Sequence, residues 1–296
     1  MSKQSEKIRV EWKAADAARD AGLTTPENVV RYDDIFYGPD KDWQKLDVYR
    51  PKGNDEKLPV IVNVHGGGWV YGDKELYQFY CMNLVKFGFA VVNFTYRLAP
   101  EFKFPASIED TNLVMKFIVD NADKYGFDVN NVFGVGDSAG GNILGLYSSF
   151  ITNPDYAKQF KFAPTDGFSL RGVALNCGAY RFKLPEGEPV HNNELMEDLF
   201  ENKGTREELA SIDVLCHVTK NFPPVYIMTG SNDFLAPDAL PLAARLRELN
   251  VPFTVKFWHH PEHNCYHVFH VNCRHPLADE CNRLECEFFK EIMKKL

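Results

Sequence analysis

The sequence predicts an α/β fold in which a mostly parallel sheet carries helices on both faces. Short segments rich in β-branched and aromatic residues alternate with longer segments of helical periodicity, and this alternation is typical of parallel strands joined by helices. Most of the short segments are too apolar to be half-exposed strands, which indicates a sheet buried on both faces. The 296 residues include 45% hydrophobic and 25% charged residues, an ordinary globular composition.

The predicted elements follow one another in a regular order. The chain begins with a helix over residues 7–21, in which apolar residues recur at helical intervals before Gly22. The predicted strands are residues 32–36, 46–49, 60–64, 90–94, 132–135, 173–176, 225–228 and 253–257. The predicted helices between and after them are residues 74–87, 106–125, 139–150, 238–249 and 277–295.

One stretch interrupts this alternation. Residues 180–222 contain no clear strand and are polar, with helical tendency over 194–200 and 206–215. An insertion after a strand is expected to cover the carboxyl edge of the sheet, where ligands of open α/β sheets bind. We therefore predict a single domain over residues 1–296, with a helical cap built from about residues 1–25 and 180–222.

Charge and hydropathy argue against several classes of protein. Lysine and arginine number 33 and acidic residues 41, a net charge of −8, which argues against nucleic acid or an anionic membrane as partner. The longest charge-poor apolar run, residues 87–96, is far shorter than the ~20 residues needed to span a bilayer. The polar first ten residues predict no secretory signal peptide. Seven irregularly spaced cysteines favour a reducing cytosol, so we expect a cytoplasmic location.

The strongest chemical signal is a serine between a predicted strand and a predicted helix. Residues 133–141 read Phe-Gly-Val-Gly-Asp-Ser-Ala-Gly-Gly, so Ser138 has a glycine two positions before it and another two positions after it. Small residues at those positions allow a sharp turn that projects the hydroxyl above the sheet edge. The turn also puts backbone N–H groups at a helix N-terminus, where negative charge is favoured. Ser138 is therefore a candidate nucleophile.

A glycine-rich loop is the second signal. Residues 65–69 read His-Gly-Gly-Gly-Trp and directly follow the predicted strand at 60–64. Consecutive glycines let backbone N–H groups approach a ligand closely. Beside a nucleophile such a loop can bind the oxyanion of a tetrahedral intermediate, together with the N–H of Ala139. A phosphate-binding loop is disfavoured because no Lys-Ser/Thr pair follows and Gly-x-Gly-x-x-Gly is missing from the first βα unit.

A serine nucleophile needs a general base and a carboxylate that orients the base. The acid is expected after the strand at 225–228, where Asp233 lies; Asp238 is better explained as the N-cap of the following helix. The base is expected after the last strand, in a segment that also raises the alternative of a zinc site. It has neither Cys-x-x-Cys nor His-Glu-x-x-His, and we predict no metal. Its members are His259, His260, His263, His267, His270 and His275, with Cys265 and Cys273.

These motifs together resemble those of the hormone-sensitive-lipase-like carboxylesterases, a branch of the α/β-hydrolase superfamily. The match spans about two thirds of the chain. It is carried by residues 65–69, by 96–101 with 104–106, by 136–141 and by 267–269. The resemblance implies the α/β-hydrolase fold, with a mostly parallel eight-stranded sheet flanked by helices and a helical cap.

The resemblance also assigns roles within the site. By it Ser138 is the nucleophile, Asp233 the orienting acid and His267 the base. His267 is favoured over His263 because family members place an aromatic residue two positions after the base, as Phe269 is here.

The remaining expected site residues lie in the glycine loop and around it. The resemblance implies that the N–H groups of Gly67, Gly68 and Ala139 bind the oxyanion. We further predict that the rings of Trp69 and Tyr71 line the substrate pocket.

The expected activity is hydrolysis of small to medium acyl esters through an acyl-enzyme. No cofactor is expected, the partner is a small-molecule ester, and a homodimer is compatible with the sequence. Two alternatives stay within hydrolysis, an arylformamidase-like amide hydrolase and a lipase, although the acidic residues of segment 194–208 argue against the apolar entrance of a lipase. A third is a non-catalytic ligand receptor on the same fold, as in the gibberellin-receptor branch.

Overall fold

The protein contains one eight-stranded sheet, seen in a computed structural model that describes residues 1–191 and 193–295. Asn192 of the predicted cap and Leu296 at the end of the predicted domain lie outside the described residues. The strands are β1 (Val29–Phe36), β2 (Lys45–Pro51), β3 (Leu58–Val64), β4 (Ala90–Phe94), β5 (Phe127–Asp137), β6 (Leu170–Asn176), β7 (Val225–Gly230) and β8 (Phe253–Trp258).

The strand order is β1-β2-β4-β3-β5-β6-β7-β8. β2 runs antiparallel to both β1 and β4, and every later neighbouring pair is parallel. Each of the eight predicted strands falls within an observed strand. The mostly parallel sheet predicted from the alternation is therefore confirmed.

Helices lie on both faces of this sheet. They are α1 (Lys3–Asp20), α2 (Lys74–Val85), α3 (Ala106–Asp120), α4 (Ala122–Tyr125), α5 (Ala139–Thr152), α6 (Pro154–Ala157), α7 (Glu194–Leu199), α8 (Arg206–Ser211), α9 (Val214–His217), α10 (Ala239–Glu248) and α11 (Ala278–Met293). The helix predicted over 106–125 is divided at Asn121, and the one predicted over 206–215 is two short helices. Among the helices in the described residues, none is both long and apolar enough to cross a membrane.

The hydrophobic core has two parts because successive side chains of a strand point to opposite faces of the sheet. In β3, Val60 and Val62 belong to a cluster that includes Ile108 of α3. Ile61 between them belongs to a second cluster that includes Phe289 of α11. All three β3 side chains are fully buried, as expected of a parallel sheet covered on both faces.

Two carboxylates hold the beginning of the segment after β6. Asp238 accepts hydrogen bonds from the backbone N–H groups of Tyr180 (2.9 Å) and Arg181 (3.2 Å), and Asp213 accepts one from Phe182 (2.8 Å). Within the described part of the chain, the Asp238 side chain makes no capping bond to α10. Asp238 therefore occupies the predicted N-cap position of α10, but its carboxylate oxygens accept from these distant N–H groups instead of capping the helix.

The amino-terminal helix α1 packs against α7 of this segment. The hydroxyl of Ser5 donates to the Asp198 carboxylate at 2.6 Å, and the backbone N–H of Ser2 donates to the same carboxylate at 2.9 Å. A Cβ added at Gly68 of the glycine loop would lie 3.8 Å from the Leu195 side chain of α7. α1 and α7 therefore lie next to each other beside the glycine loop.

Candidate active site

Ser138 occupies a strained turn between β5 and α5. Its φ of +53° and ψ of −120° are rarely adopted by residues with a side chain. The turn is held by the Ser138 N–H, which donates to the Asn176 carbonyl at 3.0 Å. A Cβ on Gly136 would lie 2.6 Å from the Gly140 carbonyl oxygen, and a Cβ on Gly140 would collide with the carbonyl oxygen of Val64. This crowding explains why the motif has glycine on both sides of the serine.

The structure brings Ser138, Asp233 and His267 together. His267 Nε2 lies 3.0 Å from Ser138 Oγ, and His267 Nδ1 lies 2.7 Å from Asp233 Oδ1. A carboxylate can only accept, so Nδ1 carries the ring proton and Nε2 can accept the proton of the serine hydroxyl. The arrangement can abstract a proton from an alcohol and stabilise the imidazolium that results.

Asp233 is fixed in place by groups other than the histidine. Thr229 donates to Oδ2 at 2.7 Å, and the backbone N–H of Leu235 donates to Oδ1 at 2.9 Å. Burial by itself would raise the pKa of Asp233, but the hydrogen bonds from His267 and Thr229 outweigh it, and the net effect holds the pKa below its usual value. The carboxylate is therefore ionised at neutral pH.

The loops that carry the acid and the base are joined through their backbones. Asn232 and Tyr266 form an isolated parallel bridge, and the Asn232 N–H donates to the Cys265 carbonyl at 3.1 Å. The bridge lies one residue before each of the two interacting side chains. It thereby fixes the separation of Asp233 and His267, which are 34 residues apart in the chain.

The glycine loop has a backbone that other residues could not adopt. Gly67 has a φ of +125°, and a Cβ there would collide with the Tyr71 carbonyl oxygen. His65 is fully buried below the loop, with Nδ1 2.7 Å from the Gly66 carbonyl oxygen and its ring stacked 4.1 Å from that of Tyr96. Burial lowers the pKa of His65 to about 4, so the imidazole is neutral and supports the loop.

A cavity of about 290 Å³ lies beside the serine and the histidine. Sequence reasoning expected Tyr71 in its wall, and Tyr71 lies there with Gly67 of the glycine loop. It did not find the contributions of α1 and α2, because amphipathic spacing identifies a helix without saying which element the helix covers. The additional lining side chains from those helices are Trp12, Ala15, Asp16, Arg19, Leu76 and Tyr77.

Trp69 has a different environment from Tyr71. It is 7% exposed, has a φ of +63° and packs edge-to-face against Phe182, with ring centres 5.8 Å apart. Phe182 belongs to the segment after β6, so Trp69 joins the glycine loop to that segment. Among the described residues that line the cavity, Tyr71 is present and the predicted Trp69 is not.

Comparison with known proteins places the chain in a family. The BD-FAE family model matches residues 46–241, a range that includes the glycine loop, Ser138 and Asp233. The chain belongs to the BD-FAE family of α/β-hydrolases. His267 lies beyond the matched range and is joined to it in space by the contacts described above.

Individual relatives agree with this assignment. A putative α/β-hydrolase, R526, of Acanthamoeba polyphaga mimivirus is 30% identical over 215 residues, which cover 69% of this chain and 60% of the relative. The versiconal hemiacetal acetate esterase of Dothistroma septosporum is 31% identical over 243 residues, which cover 75% of this chain and 70% of that esterase. The chain thus matches about 60–70% of the length of these relatives.

A solved structure extends the similarity to the whole chain. Esterase B of Lactobacillus rhamnosis, inhibited by a C4-C4 SN3 tributyrin phosphonate, has a TM-score of 0.86 and is 26% identical. The alignment covers 100% of this chain and 97% of the esterase. The predicted α/β-hydrolase fold and the resemblance to hormone-sensitive-lipase-like carboxylesterases are both confirmed.

The other histidines near the carboxyl end of this BD-FAE member have separate surroundings. His270 is buried beside Asn176, with 3.5 Å between His270 Nε2 and Asn176 Nδ2, and burial lowers its pKa to about 3. His260 and His263 stack on each other at 4.5 Å. His267 is the member of the histidine-rich segment that contacts Ser138.

One group of side chains has the donor types of a metal site. In the described residues, Cys177, Asp233 and His267 form the one group of three potential ligands whose donor atoms all lie within 4.8 Å of one another. Burial raises the pKa of the Cys177 thiol well above its usual value, which disfavours the thiolate that zinc binds. Asp233 and His267 also use each other as hydrogen-bond partners. The donor set is therefore better suited to proton transfer than to zinc.

Proposed function

We propose that the protein is a serine carboxylic ester hydrolase. The observation that carries this proposal is the hydrogen-bonded chain from Ser138 through His267 to Asp233, with distances of 3.0 and 2.7 Å. The esterases among its relatives and the phosphonate-inhibited esterase with the same fold support it.

The proposed mechanism is acyl transfer to water. Ser138 Oγ attacks the ester carbonyl carbon while His267 Nε2 takes the hydroxyl proton, and Asp233 stabilises the imidazolium. The intermediate then collapses, the acyl–oxygen bond breaks, and His267 returns the proton to the leaving alcohol. A water molecule, deprotonated by the same imidazole, attacks the acyl-enzyme. The bond between the acyl carbon and Ser138 Oγ then breaks, the imidazolium returns its proton to Oγ, and the acid is released.

We assign the oxyanion-binding groups to the backbone N–H groups of Gly67, Gly68 and Ala139. Ala139 is the first residue of α5, so its N–H points out of the helix N-terminus, where negative charge is favoured. Gly67 and Gly68 both have positive φ values, a backbone conformation that glycine adopts readily. Donors fixed before the reaction are worth more than donors that must reorganise.

Cavity size indicates the substrate range. Ligand pockets commonly measure about 300–1,000 Å³, and the cavity beside Ser138, at about 290 Å³, lies at the small end. Small to medium acyl esters are therefore favoured over the long chains of a lipase. We further propose that residues 1–25 and 180–222 form the cap over this cavity, supported by the contacts of α1 with α7.

The proposed reaction uses a small-molecule ester and the chain's own side chains, without a cofactor. The seven cysteines are free thiols, which agrees with the predicted cytoplasmic location. That location and the homodimer stay predictions.

The test is hydrolysis of 4-nitrophenyl butyrate by the wild type and by Ser138→Ala. We expect kcat to fall more than about 10³-fold, because loss of the nucleophile removes the acyl-enzyme route. Ser169→Ala is the matched control, since Ser169 is exposed and precedes the first residue of β6. Undiminished hydrolysis by Ser138→Ala would contradict the proposed function.

A further inference from the structure

The cavity beside Ser138 contains a carboxylate that the proposed mechanism does not use. Asp16 of α1 lines the same cavity as Ser138 and His267. Its Oδ2 accepts a hydrogen bond from the Tyr71 hydroxyl at 2.8 Å, and its Oδ1 accepts one from Arg19 at 2.8 Å. An acidic group therefore lies in the wall of the space where a substrate would sit.

The hydrogen bonds around Asp16 leave acceptor capacity unused. A carboxylate offers about four acceptor positions, and Tyr71 and Arg19 occupy two. The other Arg19 donors bind the Asp20 carboxylate at 2.8 and 2.6 Å and the Leu76 carbonyl at 2.5 Å. The Asp16 carboxylate can therefore accept a hydrogen bond from a ligand, whereas the donors of Arg19 and Tyr71 are already used within the protein.

α1 is fixed where it carries Asp16. Near its beginning, Arg9 donates to the Val70 carbonyl at 2.7 Å and pairs with Glu101 at 2.7 Å. At its end, Arg274 donates to the carbonyls of Arg19 and Ala21. A group held on both sides loses little conformational freedom when it binds a ligand.

The charge around Asp16 selects the kind of donor. The Arg19 guanidinium lies 2.8 Å from Asp16 and is shared with Asp20 at 2.6 Å. An ammonium group bound to Asp16 would therefore lie beside a cation. A neutral hydroxyl can donate to Asp16 without that repulsion.

We propose that Asp16 is a substrate-binding residue that accepts a hydrogen bond from a hydroxyl group of the ester. The preferred substrates are then esters that carry a free hydroxyl close to the bond that is cleaved. This inference rests on the proposed ester hydrolase function and names its substrate class. The hydroxyl belongs to either the alcohol part or the acyl part of the ester, and the experiment distinguishes the two.

Three matched esters test the proposal: propyl butyrate, 2,3-dihydroxypropyl butyrate and propyl 3-hydroxybutyrate. We expect one of the two hydroxylated esters to have a kcat/KM about ten-fold above that of propyl butyrate, the effect of one hydrogen bond to a charged group. In Asp16→Ala this ratio should fall to about one. In Glu11→Ala the ratio should stay at the wild-type value, because Glu11 is an exposed acid of the same helix that pairs with Lys7.

A second variant separates Asp16 from its neighbour. Tyr71→Phe removes the phenol hydroxyl and frees an acceptor position of Asp16, so the ratio should be kept or should increase. A ratio that collapses in Tyr71→Phe but survives in Asp16→Ala would overturn the assignment to Asp16.

The experiment also distinguishes failure of this inference from failure of the proposed function. Equal wild-type kcat/KM for all three esters, with hydrolysis abolished in Ser138→Ala, would overturn the role of Asp16 and leave the esterase intact. No hydrolysis of any of the three esters would count against the proposed function itself, and the role of Asp16 would fall with it.

Discussion

The Tyr77 hydroxyl donates to the Asp137 carboxylate at 2.8 Å and accepts the backbone N–H of Gly66 at 2.9 Å. Asp137 immediately precedes Ser138, and Gly66 belongs to the glycine loop. One phenol on α2 therefore joins the two segments to which we assign the oxyanion donors. Burial raises the pKa of Asp137 to about 7, against the opposing effect of the Tyr77 hydrogen bond.

Removal of this hydroxyl should impair catalysis more than substrate binding. In Tyr77→Phe the Gly66 N–H and the Asp137 carboxylate lose a buried partner, and the loop is no longer held against the serine turn. We expect kcat to fall about ten-fold, or ~1.4 kcal/mol, with little change in KM. Steady-state kinetics with 4-nitrophenyl butyrate measure both.

The matched control for this variant is Tyr37→Phe. Tyr37 also uses its hydroxyl in a hydrogen bond, to the Thr95 carbonyl at 2.7 Å, outside the cavity beside Ser138. Its loss should lower stability without the fall in kcat. Equal kcat values for Tyr77→Phe and the wild type would refute the positioning role of Tyr77.

Asp233→Asn should reduce kcat by about 10³–10⁴-fold, because the amide no longer fixes the imidazole with its proton on Nδ1. Asp233 and Asn have nearly the same shape, so Thr229 can still donate to the side chain and the fold should persist. Circular dichroism together with steady-state kinetics checks this. Asp166→Asn, a change at an exposed acid, should keep wild-type activity. A loss of less than ten-fold in Asp233→Asn would be incompatible with the assigned acid.

Brief exposure to pH 5 should leave the hydrogen bonds that hold Asp233 in place. The hydrogen bonds that hold the pKa of Asp233 below its usual value contribute stability that is present above the usual Asp value and is lost only as pH falls below it. At pH 5 this contribution is intact. Wild-type enzyme held at pH 5 and then returned to pH 8 should therefore regain its full rate of hydrolysis, and a lasting loss of rate would contradict this expectation.

A buried acid below the serine turn gives a prediction about stability. Glu285 of α11 accepts hydrogen bonds from Asn176 (2.5 Å) and Tyr80 (3.1 Å), and burial raises its pKa to about 7 despite these bonds. The folded protein therefore keeps a proton that the unfolded chain releases near pH 4.5. Stability from this group falls as pH rises from about 4.5 to 7, and the loss is complete above pH 7.

Glu285→Gln removes the charge and keeps the side-chain shape. Its amide can donate to Asn176 Oδ1, an atom without a partner among the described residues, after the Asn176 amide turns over. We expect a Tm at pH 8 about 2–4 °C above that of the wild type, equivalent to roughly 1 kcal/mol, and a smaller difference at pH 5. Thermal unfolding at both pH values measures the effect. A Tm difference between Glu285→Gln and the wild type that is larger at pH 5 than at pH 8 would contradict this prediction.

The sequence was a good guide wherever the local pattern itself determines the structure. The alternation of strands and helices predicted all eight strands, and the rule that parallel strands present their carboxyl ends at one edge led to Ser138, Asp233 and the histidine-rich segment after the last strand. The family resemblance then selected His267 within that segment. The turn at Ser138 was also predictable, because only residues without side chains fit beside it at Gly136 and Gly140.

Contacts between distant segments could not be predicted from the sequence. The capping rule gave the position of Asp238 at the start of α10, but nothing in the local pattern showed that the backbone N–H groups of Tyr180 and Arg181 would bind its carboxylate. The helical spacing of α1 indicated a helix but did not show that Asp16 would reach the cavity. The bond between Tyr77 and Asp137 depends on how α2 packs against β5, which is a property of the assembled fold.

The most direct test of the central claim is titration with a fluorophosphonate ester, followed by mass spectrometry of the intact protein. If His267 activates Ser138, the wild type should take up one phosphonyl group per chain with loss of fluoride, and peptide mapping should locate it on Ser138. Ser138→Ala should remain unlabelled, and His267→Ala should react far more slowly. Labelling of Ser138→Ala to the same extent and at the same rate as the wild type would contradict the account.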